Sequence, residues 1–308
     1  MISVVIPLYN KEKSIVATLQ SVLAQTYTDY EVIIVDDGST DQSMRVVHEY
    51  IQNLDSKKRE RFTLISQLNY GVSAARNAGI IASNGEYVTF LDADDLWASD
   101  YLDTLHTLIQ DYPKAGLYSI GYRVINSPTM PSREQIDDVN KNALRGSVDN
   151  LWIEDMDLYI GSTCSSKERM IRVGLMDTHM THGEDLDFCW RLILDGGLVR
   201  DRKCCAFYRV DAENRAMNRI PALDRMIVSY VDKFESAREG NADFRKFFDE
   251  QMVYRLYPYL LDKRYRKEAR RIAKKFDYSQ LKWSMHFRML FPWTYYWLKR
   301  CLMCDVKF

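Results

Sequence analysis

The residues of this chain best suited to chemistry are two acidic turns, each of which follows a short β-branched run. Asp36 and Asp37 end one run, and Asp92 and Asp94 end another. On an extended backbone, residues i and i+2 face the same side, so Asp92 and Asp94 are expected to project into one crevice. Two carboxylates there repel each other unless a cation lies between them, and magnesium-type sites use one or two carboxylates with substrate phosphates. The alternative is that such turns only end strands and cap helices, as Asp95 could do.

The pattern around these turns predicts the scaffold that positions them. Strands are expected at 2–7, 31–36, 62–66 and 86–91, and helices at about 15–23, from an N-cap at 39–41 to about 54, and at about 72–82. This alternation predicts a doubly wound, mostly parallel sheet, which binds ligands beyond the carboxyl ends of its strands. Pro7 ends the first strand and places Tyr9 at that edge, where its ring either stacks on a planar base or packs in the protein.

Five motifs, in order, resemble those of family 2 glycosyltransferases of the GT-A fold, of the bacterial polysaccharide-biosynthesis type. They are VVIPLYN at 4–10, VDDGSTD at 35–41, GVSAARNAG at 71–79, GEYVTFLDADD at 85–95 and GEDLDF at 183–188. The resemblance spans about residues 1–215. It implies an α/β GT-A fold (Rossmann-like), a nucleotide-diphosphate-sugar donor that is UDP-linked by family habit, a divalent cation (Mn²⁺ or Mg²⁺), and transfer of a hexosyl or N-acetylhexosaminyl group with inversion.

The same resemblance implies roles for individual residues. Nucleotide-sugar binding is expected of Pro7, Tyr9, Asn10, Asp36, Asp37, Arg76, Asn77, Asp92 and Ala93. Asp37, more than Asp36, is expected to accept a hydrogen bond from a uracil-type N–H. Metal binding is expected of Asp94, as the direct ligand, and of Asp92, through the water shell. Catalysis is expected of Glu184 and Asp185, with Asp185 as the general base that takes the acceptor hydroxyl proton; the alternative for Asp185 is a helix-start carboxylate favoured by the helix dipole.

One motif departs from the family pattern. Many members of that family carry, after the acidic pair, a Tyr-Arg-x-His segment whose histidine can complete the metal site, whereas this chain has YRVD at 208–211. Asp211, Glu213 or water could supply the third ligand, and the sequence leaves this open. His179 and His182 form a His-x-x-His pair without further ligands, which predicts exposed loop histidines rather than a zinc site.

Composition narrows the class of protein. The chain has 308 residues, of which 46% are hydrophobic and 28% charged. These values exclude disordered, collagen-like and coiled-coil chains, and allow one large α/β domain with a tail or two modest domains. Six cysteines are too sparse for a disulfide scaffold and indicate a reducing cytosol. The N-terminus does not read as a signal peptide, and no apolar run reaches the roughly 18 residues that span a bilayer.

Charge is distributed unevenly along the chain. The net charge is −1, yet residues 251–308 hold 14 Lys and Arg against 4 Asp and Glu, which leaves −11 for residues 1–250. Basic residues at 264–275 precede clustered aromatics at 283–297, a pattern typical of an interfacial segment on an anionic membrane. A basic helix packed on protein is the alternative. The polar stretch at 127–142 is expected to be a mobile loop.

The sequence therefore predicts a GT-A catalytic domain at 1–215, with a nucleotide-sugar half at 1–117 and an acceptor half at 118–215, and a helical extension at 216–308. The predicted acceptor is a lipid-linked glycan in cell-surface polysaccharide synthesis. The protein is predicted to be cytoplasmic and bound peripherally to the inner face of the cytoplasmic membrane. No nucleic-acid partner is expected. The alternatives are a catalytically inactive glycan- or nucleotide-binding module and a sugar nucleotidyltransferase. The latter requires a Gly-rich loop where this chain has PLYNK at 7–11.

Overall fold

The computed structural model describes residues 1–140, 144–147, 152, 158–214 and 221–296. The chain divides into two compact units. The first comprises Met1–Leu151, Asp157–His179 and Glu184–Ile220, and the second comprises Trp152–Met156, Met180–Gly183 and Pro221–Phe308. The end of the predicted helical extension, residues 297–308, lies outside the described residues.

The first unit contains nine strands and eight helices within the described residues. The strands are β1 (Ile2–Leu8), β2 (Tyr30–Asp36), β3 (Phe62–Ser66), β4 (Tyr87–Phe90), β5 (Leu96–Trp97), β6 (Leu117–Ile125), β7 (Arg145–Ser147), β8 (Thr163–Ser166) and β9 (Leu198–Arg209). The helices are α1 (Ile15–Leu23), α2 (Ser43–Gln52), α3 (Ser56–Arg59), α4 (Val72–Ala82), α5 (Tyr101–Asp111), α6 (Arg133–Asn140), α7 (Lys167–Arg172) and α8 (Glu184–Gly196).

All nine strands belong to one sheet, in the order β3-β2-β1-β4-β8-β6-β9-β5, with β7 also paired to β9. Strands β1 to β4 are mutually parallel, and β6 and β9 form a second parallel pair. Strand β8 is antiparallel to both β4 and β6 and joins the two parallel sets. The carboxyl ends of β1, β2, β4, β6 and β9 therefore lie at one edge of the sheet.

Alternate residues of β1 pack on opposite faces of the sheet. Ile2, Val4, Ile6 and Leu8 belong to a core that also takes in α1, α2 and α5. On the other face, Val5 meets α4 so closely that a Cβ on Gly79 would lie 2.2 Å from the Val5 Cγ1 atom. The sheet is thus covered by helices on both faces, because a parallel sheet buries both of its surfaces.

The described part of the second unit is mostly helical, with a β-bridge between His182 and Met226. Its helices are α9 (Glu235–Gly240), α10 (Ala242–Leu261), α11 (Arg266–Ala273) and α12 (Trp283–Leu290). Phe234, Phe244 and Phe248 form its aromatic core, with ring centroids 5.1–5.9 Å apart. Beside them, the Arg238 guanidinium lies 2.8 Å from the fully buried Asp249 carboxylate. Within the described residues no helix is both long and apolar enough to cross a membrane.

Two elements differ from the sequence-based expectation. Helix α2 starts after Gln42 rather than at 39–41, because the Asp41 carboxylate accepts the Ser43 N–H at 2.9 Å and keeps the preceding residues in a turn. The expected mobile loop at 127–142 contains α6. This helix is held by the buried side chain of Ile136 and by Asn140, whose amide oxygen accepts the Cys204 N–H at 2.6 Å.

Candidate functional site

The loop after β1 is tied to the loop after β2 by Asn10. Its φ of 51° lies in the left-handed region, which asparagine tolerates better than most residues. The Asn10 side-chain oxygen accepts the Thr40 N–H at 2.8 Å, and the Asn10 N–H donates to Ser39 Oγ at 3.1 Å. Just before it, Pro7 is buried in the strand and Tyr9 is 38% exposed. The two loops therefore form one rigid rim beside an accessible aromatic ring.

Asp37 organises the segment that leads into α4. Its buried carboxylate accepts hydrogen bonds from Gln67 Nε2 at 2.7 Å, from the Tyr70 N–H at 2.9 Å and from the Gly71 N–H at 2.8 Å. Asp36 is also buried, and its Oδ1 accepts the Ser39 N–H at 3.2 Å. Both aspartates of the first acidic turn thus hold loop backbone, and a role for Asp37 toward a nucleobase stays a prediction.

The second acidic turn is a hydrogen-bonded turn rather than an extended segment. The Asp95 N–H donates to the Asp92 carbonyl at 3.0 Å, and Thr18 Oγ1 donates to the carbonyl of the buried Ala93 at 3.0 Å. The expectation that Asp92 and Asp94 share a face through strand alternation was therefore wrong about the backbone. Burial, with a smaller contribution from the charge of Asp92, raises the pKa of Asp94.

Asp95 anchors this turn to the distant end of the sheet. It is 1% exposed and accepts hydrogen bonds from the Tyr159 hydroxyl and, at 2.7 Å, from the Arg209 N–H. Burial, together with the charges of Asp92 and Asp94, raises its pKa well above the ordinary value. These partners are 64 and 114 residues away in the chain, so the local sequence around Asp95 suggests only a helix cap.

The guanidinium of Arg76 connects the acidic turn to the acidic pair. Arg76 lies on α4, its side chain is 5% exposed, and its Nη2 donates to Asp92 Oδ1 at 2.7 Å. Its Nη1 lies 3.9 Å from Glu184 Oε1 at the start of α8. Burial acts to lower the pKa of Arg76, but the Asp92 and Glu184 carboxylates outweigh it and raise that pKa. One buried cation is therefore shared by two parts of the predicted site.

The acidic pair lies at the N-terminus of α8, where the helix dipole favours negative charge. Burial and the charge of Asp185 raise the pKa of Glu184 to about 7, against the lowering effect of Arg76. Asp185 is half-buried, and its Oδ1 accepts the Leu186 N–H at 2.8 Å. Both readings of Asp185, as a helix-start carboxylate and as a base, are compatible with this position.

Asp94, the predicted metal ligand, is paired with Lys11. The Lys11 Nζ atom lies 2.6 Å from Asp94 Oδ2, and the two side chains are only 12% and 13% exposed. Burial raises the pKa of Asp94 despite the opposing effect of Lys11. Lys11 therefore supplies the positive charge that offsets the carboxylate of Asp94. Lys11 was not among the predicted site residues, although a lysine directly after the VVIPLYN motif, beside several acidic residues, is a usable signal.

The remaining predicted side chains have other partners. Asp211 pairs with Arg209 at 3.1 Å, and Glu213 accepts from Ser14 Oγ at 2.6 Å. The Asn77 side chain exchanges two hydrogen bonds with the backbone of Met176 and so fixes the segment before the acidic pair. Of the two loop histidines, the His179 side chain is 81% exposed. In the part of the chain that the structure describes, no three His, Cys, Asp or Glu side chains gather into a possible metal site.

Comparison with known proteins identifies a family. Residues 3–175 match the model described as glycosyl transferase family 2. The chain is similar to the glycosyltransferase GlyA of Streptococcus pneumoniae, with 41% identity over 111 residues, which are 36% of this chain and 15% of GlyA. It is also similar to GlyG of the same species, with 38% identity over 112 residues, which are 36% of each chain. The matched region thus spans about a third or less of these relatives.

Solved structures share the fold. The crystal structure of S. aureus TarS 1-349 in complex with UDP-GlcNAc superposes with a TM-score of 0.60 at 19% identity, covering 93% of this chain and 72% of that one. The same protein in complex with UDP gives a TM-score of 0.56. These superpositions confirm the predicted fold class, an α/β GT-A architecture with a helical C-terminal extension.

Proposed function

We propose, because the chain belongs to glycosyl transferase family 2, that it transfers a sugar from a nucleotide-diphosphate-sugar to a hydroxyl acceptor. The observation that carries this proposal is the buried guanidinium of Arg76, which lies between Asp92 and Glu184. It joins a carboxylate expected to bind the donor to the pair expected to activate the acceptor. Asp92 follows the carboxyl end of the parallel strand β4, at the edge where α/β sheets bind their ligands.

The proposed donor is a UDP-sugar that carries a hexosyl or N-acetylhexosaminyl group. Two observations support it: the S. aureus TarS structure of similar fold is a complex with UDP-GlcNAc, and Tyr9 presents an accessible ring at the rim formed by Asn10. In this proposal Pro7 and Tyr9 contact the base, Asp37 accepts its N–H, and Asp92 contacts the ribose. Asp36, Asn10, Asn77 and Ala93 shape the loops around the donor.

The proposed cofactor is a divalent cation, Mn²⁺ or Mg²⁺, held by Asp94 directly and by Asp92 through water. The residues present fit such an ion, because a magnesium-type site uses one or two carboxylates with substrate phosphates and retains several waters. Each of these carboxylates already lies beside a cation of the protein, Asp94 beside Lys11 and Asp92 beside Arg76, so both positions suit a positive charge. When bound, the ion would stabilise the negative charge of the leaving diphosphate.

The proposed base is Asp185, which takes the proton of the acceptor hydroxyl as that oxygen attacks the anomeric carbon. Inversion requires the base on the face opposite the leaving diphosphate, as the second carboxylate of an inverting glycosidase lies across the ring from its acid. Glu184, which precedes Asp185 and shares the Arg76 cation, is proposed to assist Asp185 in catalysis. In this proposal, Arg76 holds Asp92, on the donor side, near Glu184, on the side of the base.

The proposed acceptor is a lipid-linked glycan at the inner face of a membrane, and the second unit supports this with an exposed apolar stripe. Trp283, Phe287 and Leu290 lie at i, i+4 and i+7 of α12, so they share one face. Trp283 and Leu290 are 75% and 73% exposed. The preceding helix α11 exposes basic side chains, including Lys267 and Arg270. Aromatic and cationic groups together fit an anionic bilayer surface.

Transfer is tested with purified protein and a panel of nucleotide-sugars, by thermal shift with and without Mn²⁺ and by release of the nucleoside diphosphate. A bound donor raises the melting temperature because it stabilises only the folded state. Asp94→Asn and Asp185→Asn are expected to lose turnover, with Asp185→Asn keeping donor binding. The exposed Glu49→Gln is the matched control. Equal turnover in all variants contradicts the mechanism, and donor binding without turnover in the unmodified protein favours an inactive binding module.

The membrane proposal is tested by co-sedimentation with vesicles. Binding to vesicles that contain phosphatidylserine, and not to phosphatidylcholine alone, is expected for the unmodified protein, with loss in a Trp283→Ala, Leu290→Ala double variant. Leu68→Ala is the control, because Leu68 is 72% exposed but belongs to the first unit. Binding that is equal for both lipids, or unchanged in the double variant, contradicts an interfacial role for α12.

A further inference from the structure

The ion pair of Lys11 and Asp94 belongs to a larger arrangement that includes the segment after β9. Besides Asp94, the Lys11 ammonium donates to the Glu213 carbonyl at 2.5 Å and to the Asn214 carbonyl at 3.4 Å. We call residues 211–214 the strap. One buried ammonium therefore links the strap to the carboxylate on which the proposed metal would bind.

The strap is also fixed to the start of α1. The Glu213 carboxylate accepts hydrogen bonds from the Lys13 N–H at 3.1 Å and from Ser14 Oγ at 2.6 Å. Burial acts to raise the pKa of Glu213, but these bonds and the charge of Lys11 lower it overall. The strap thus has two attachments, one through the side chain of Glu213 and one through the Lys11 ammonium.

We propose that Lys11 is a positioning residue that competes with the divalent cation for Asp94 and couples the occupancy of Asp94 to the strap. This inference rests on the proposed role of Asp94 as a metal ligand. The Lys11 ammonium lies at hydrogen-bond distance from Asp94 Oδ2, and a dication bound to that carboxylate repels it at this range. When the cation binds, the ammonium leaves Asp94, and its bonds to the strap carbonyls break.

The acidic side chains of the strap have partners of their own. The Asp211 carboxylate is paired with the Arg209 guanidinium at 3.1 Å, and the Glu213 carboxylate accepts from Ser14 Oγ at 2.6 Å. The strap therefore approaches Asp94 through backbone carbonyls that accept from a cation of the protein, and not through a metal ligand. Coupling of this kind is reciprocal. If the bound metal loosens the strap by a given factor, then fixing the strap weakens metal binding by the same factor.

The first test is a calorimetric titration of the full-length protein with MnCl₂ alone. Lys11→Met removes the competing charge and is expected to bind Mn²⁺ about tenfold more tightly, the factor expected for losing one charge-assisted hydrogen bond. Lys11→Arg keeps the charge and is expected to bind like the unmodified protein. A Lys11→Met variant whose affinity is equal or weaker overturns the inference, because a merely structural ion pair gives that result.

Asp94→Asn separates this inference from the proposed metal site. If Asp94→Asn binds Mn²⁺ as the unmodified protein does, or if neither the unmodified protein nor Lys11→Met binds it, the metal site on Asp94 is wrong. If Asp94→Asn loses binding while Lys11→Met is unchanged, the metal site stands and only the role of Lys11 fails.

The second test needs no variant and so does not depend on how Lys11→Met folds. Amide hydrogen exchange of residues 211–214 in the unmodified protein is expected to become faster when Mn²⁺ is added to saturation. The peptide over α5 serves as the internal reference. Unchanged or slower exchange of the strap with bound Mn²⁺ overturns the coupling.

Discussion

Replacing Glu184 with glutamine is expected to stabilise the protein at alkaline pH. Burial and the charge of Asp185 raise the pKa of Glu184 from 4.5 to about 7, although Arg76 opposes them. Between these values the folded state binds a proton that the unfolded state has lost, so the free energy of unfolding falls as pH rises through this window. Glutamine carries no charge, so the variant lacks this loss of stability.

The size of the effect follows from the shift. One pKa unit corresponds to about 1.4 kcal/mol, so the full shift of Glu184 amounts to about 3 kcal/mol above pH 7. Because the charges of Asp185 and Arg76 both act on Glu184, we expect a gain of about 1–3 kcal/mol for Glu184→Gln at pH 8 rather than the full shift. At pH 4.5 the folded Glu184 is already protonated, and the gain falls to within about 0.5 kcal/mol.

The assay is urea unfolding of both proteins at pH 4.5 and pH 8, followed by circular dichroism. Glu49→Gln is the matched control, since Glu49 is exposed and pairs only with Arg45 on the surface of α2. Its effect is expected within about 0.5 kcal/mol at both pH values. A Glu184→Gln variant that is less stable than the unmodified protein at pH 8, or that differs equally at both pH values, refutes the reasoning. If Glu184→Gln is more stable at pH 8 and also loses transfer activity, then Glu184 is a residue that activity requires although its charge lowers stability.

Three further substitutions test other contacts of the first unit. Arg76→Met leaves two carboxylates without their shared cation and is expected to lower the free energy of unfolding by about 2–4 kcal/mol in urea titrations. Its control is Arg45→Met, at an exposed residue, which is expected to change that free energy by at most about 0.5 kcal/mol. Gly79→Ala places a methyl against Val5 and is expected to cost about 1–3 kcal/mol, read as a lower melting temperature. Asp37→Ala removes the acceptor of three hydrogen bonds and is expected to speed amide exchange at 67–71 and to weaken UDP binding by calorimetry.

Much of the fold could be predicted because its signals are local. The buried β-branched run of β1 and the strand at Phe62–Ser66 are read directly from short stretches of sequence. Helix α6 was missed because its stability depends on Ile136 packing in the core and on Asn140 bonding to Cys204, which lies 64 residues away. A polar segment gives no local sign of such a contact.

For the candidate site, too, the residue types could be predicted but the long-range contacts could not. The acidic residues of the motifs were found because their types and positions at strand ends suffice to suggest chemistry. The contacts that set their electrostatics were not found, because they join residues far apart: Lys11 meets Asp94 across 83 positions, and Arg76 reaches from α4 to Glu184 on α8. The turn at Asp92 was also misjudged, since alternation along a strand does not continue into the turn that follows it.

The hydrogen bonds of Asp95 join segments that leave the ribosome at different times. Its bond with the Arg209 N–H spans 114 positions, and Leu117 of β6 pairs in parallel with Leu198 of β9. Strands that pair over such separations form slowly, and N-terminal segments leave the ribosome first. The acidic turn is therefore synthesised long before the strand that fixes it, and a nascent chain that stops short of Arg209 carries the motif but lacks a bond that shapes it.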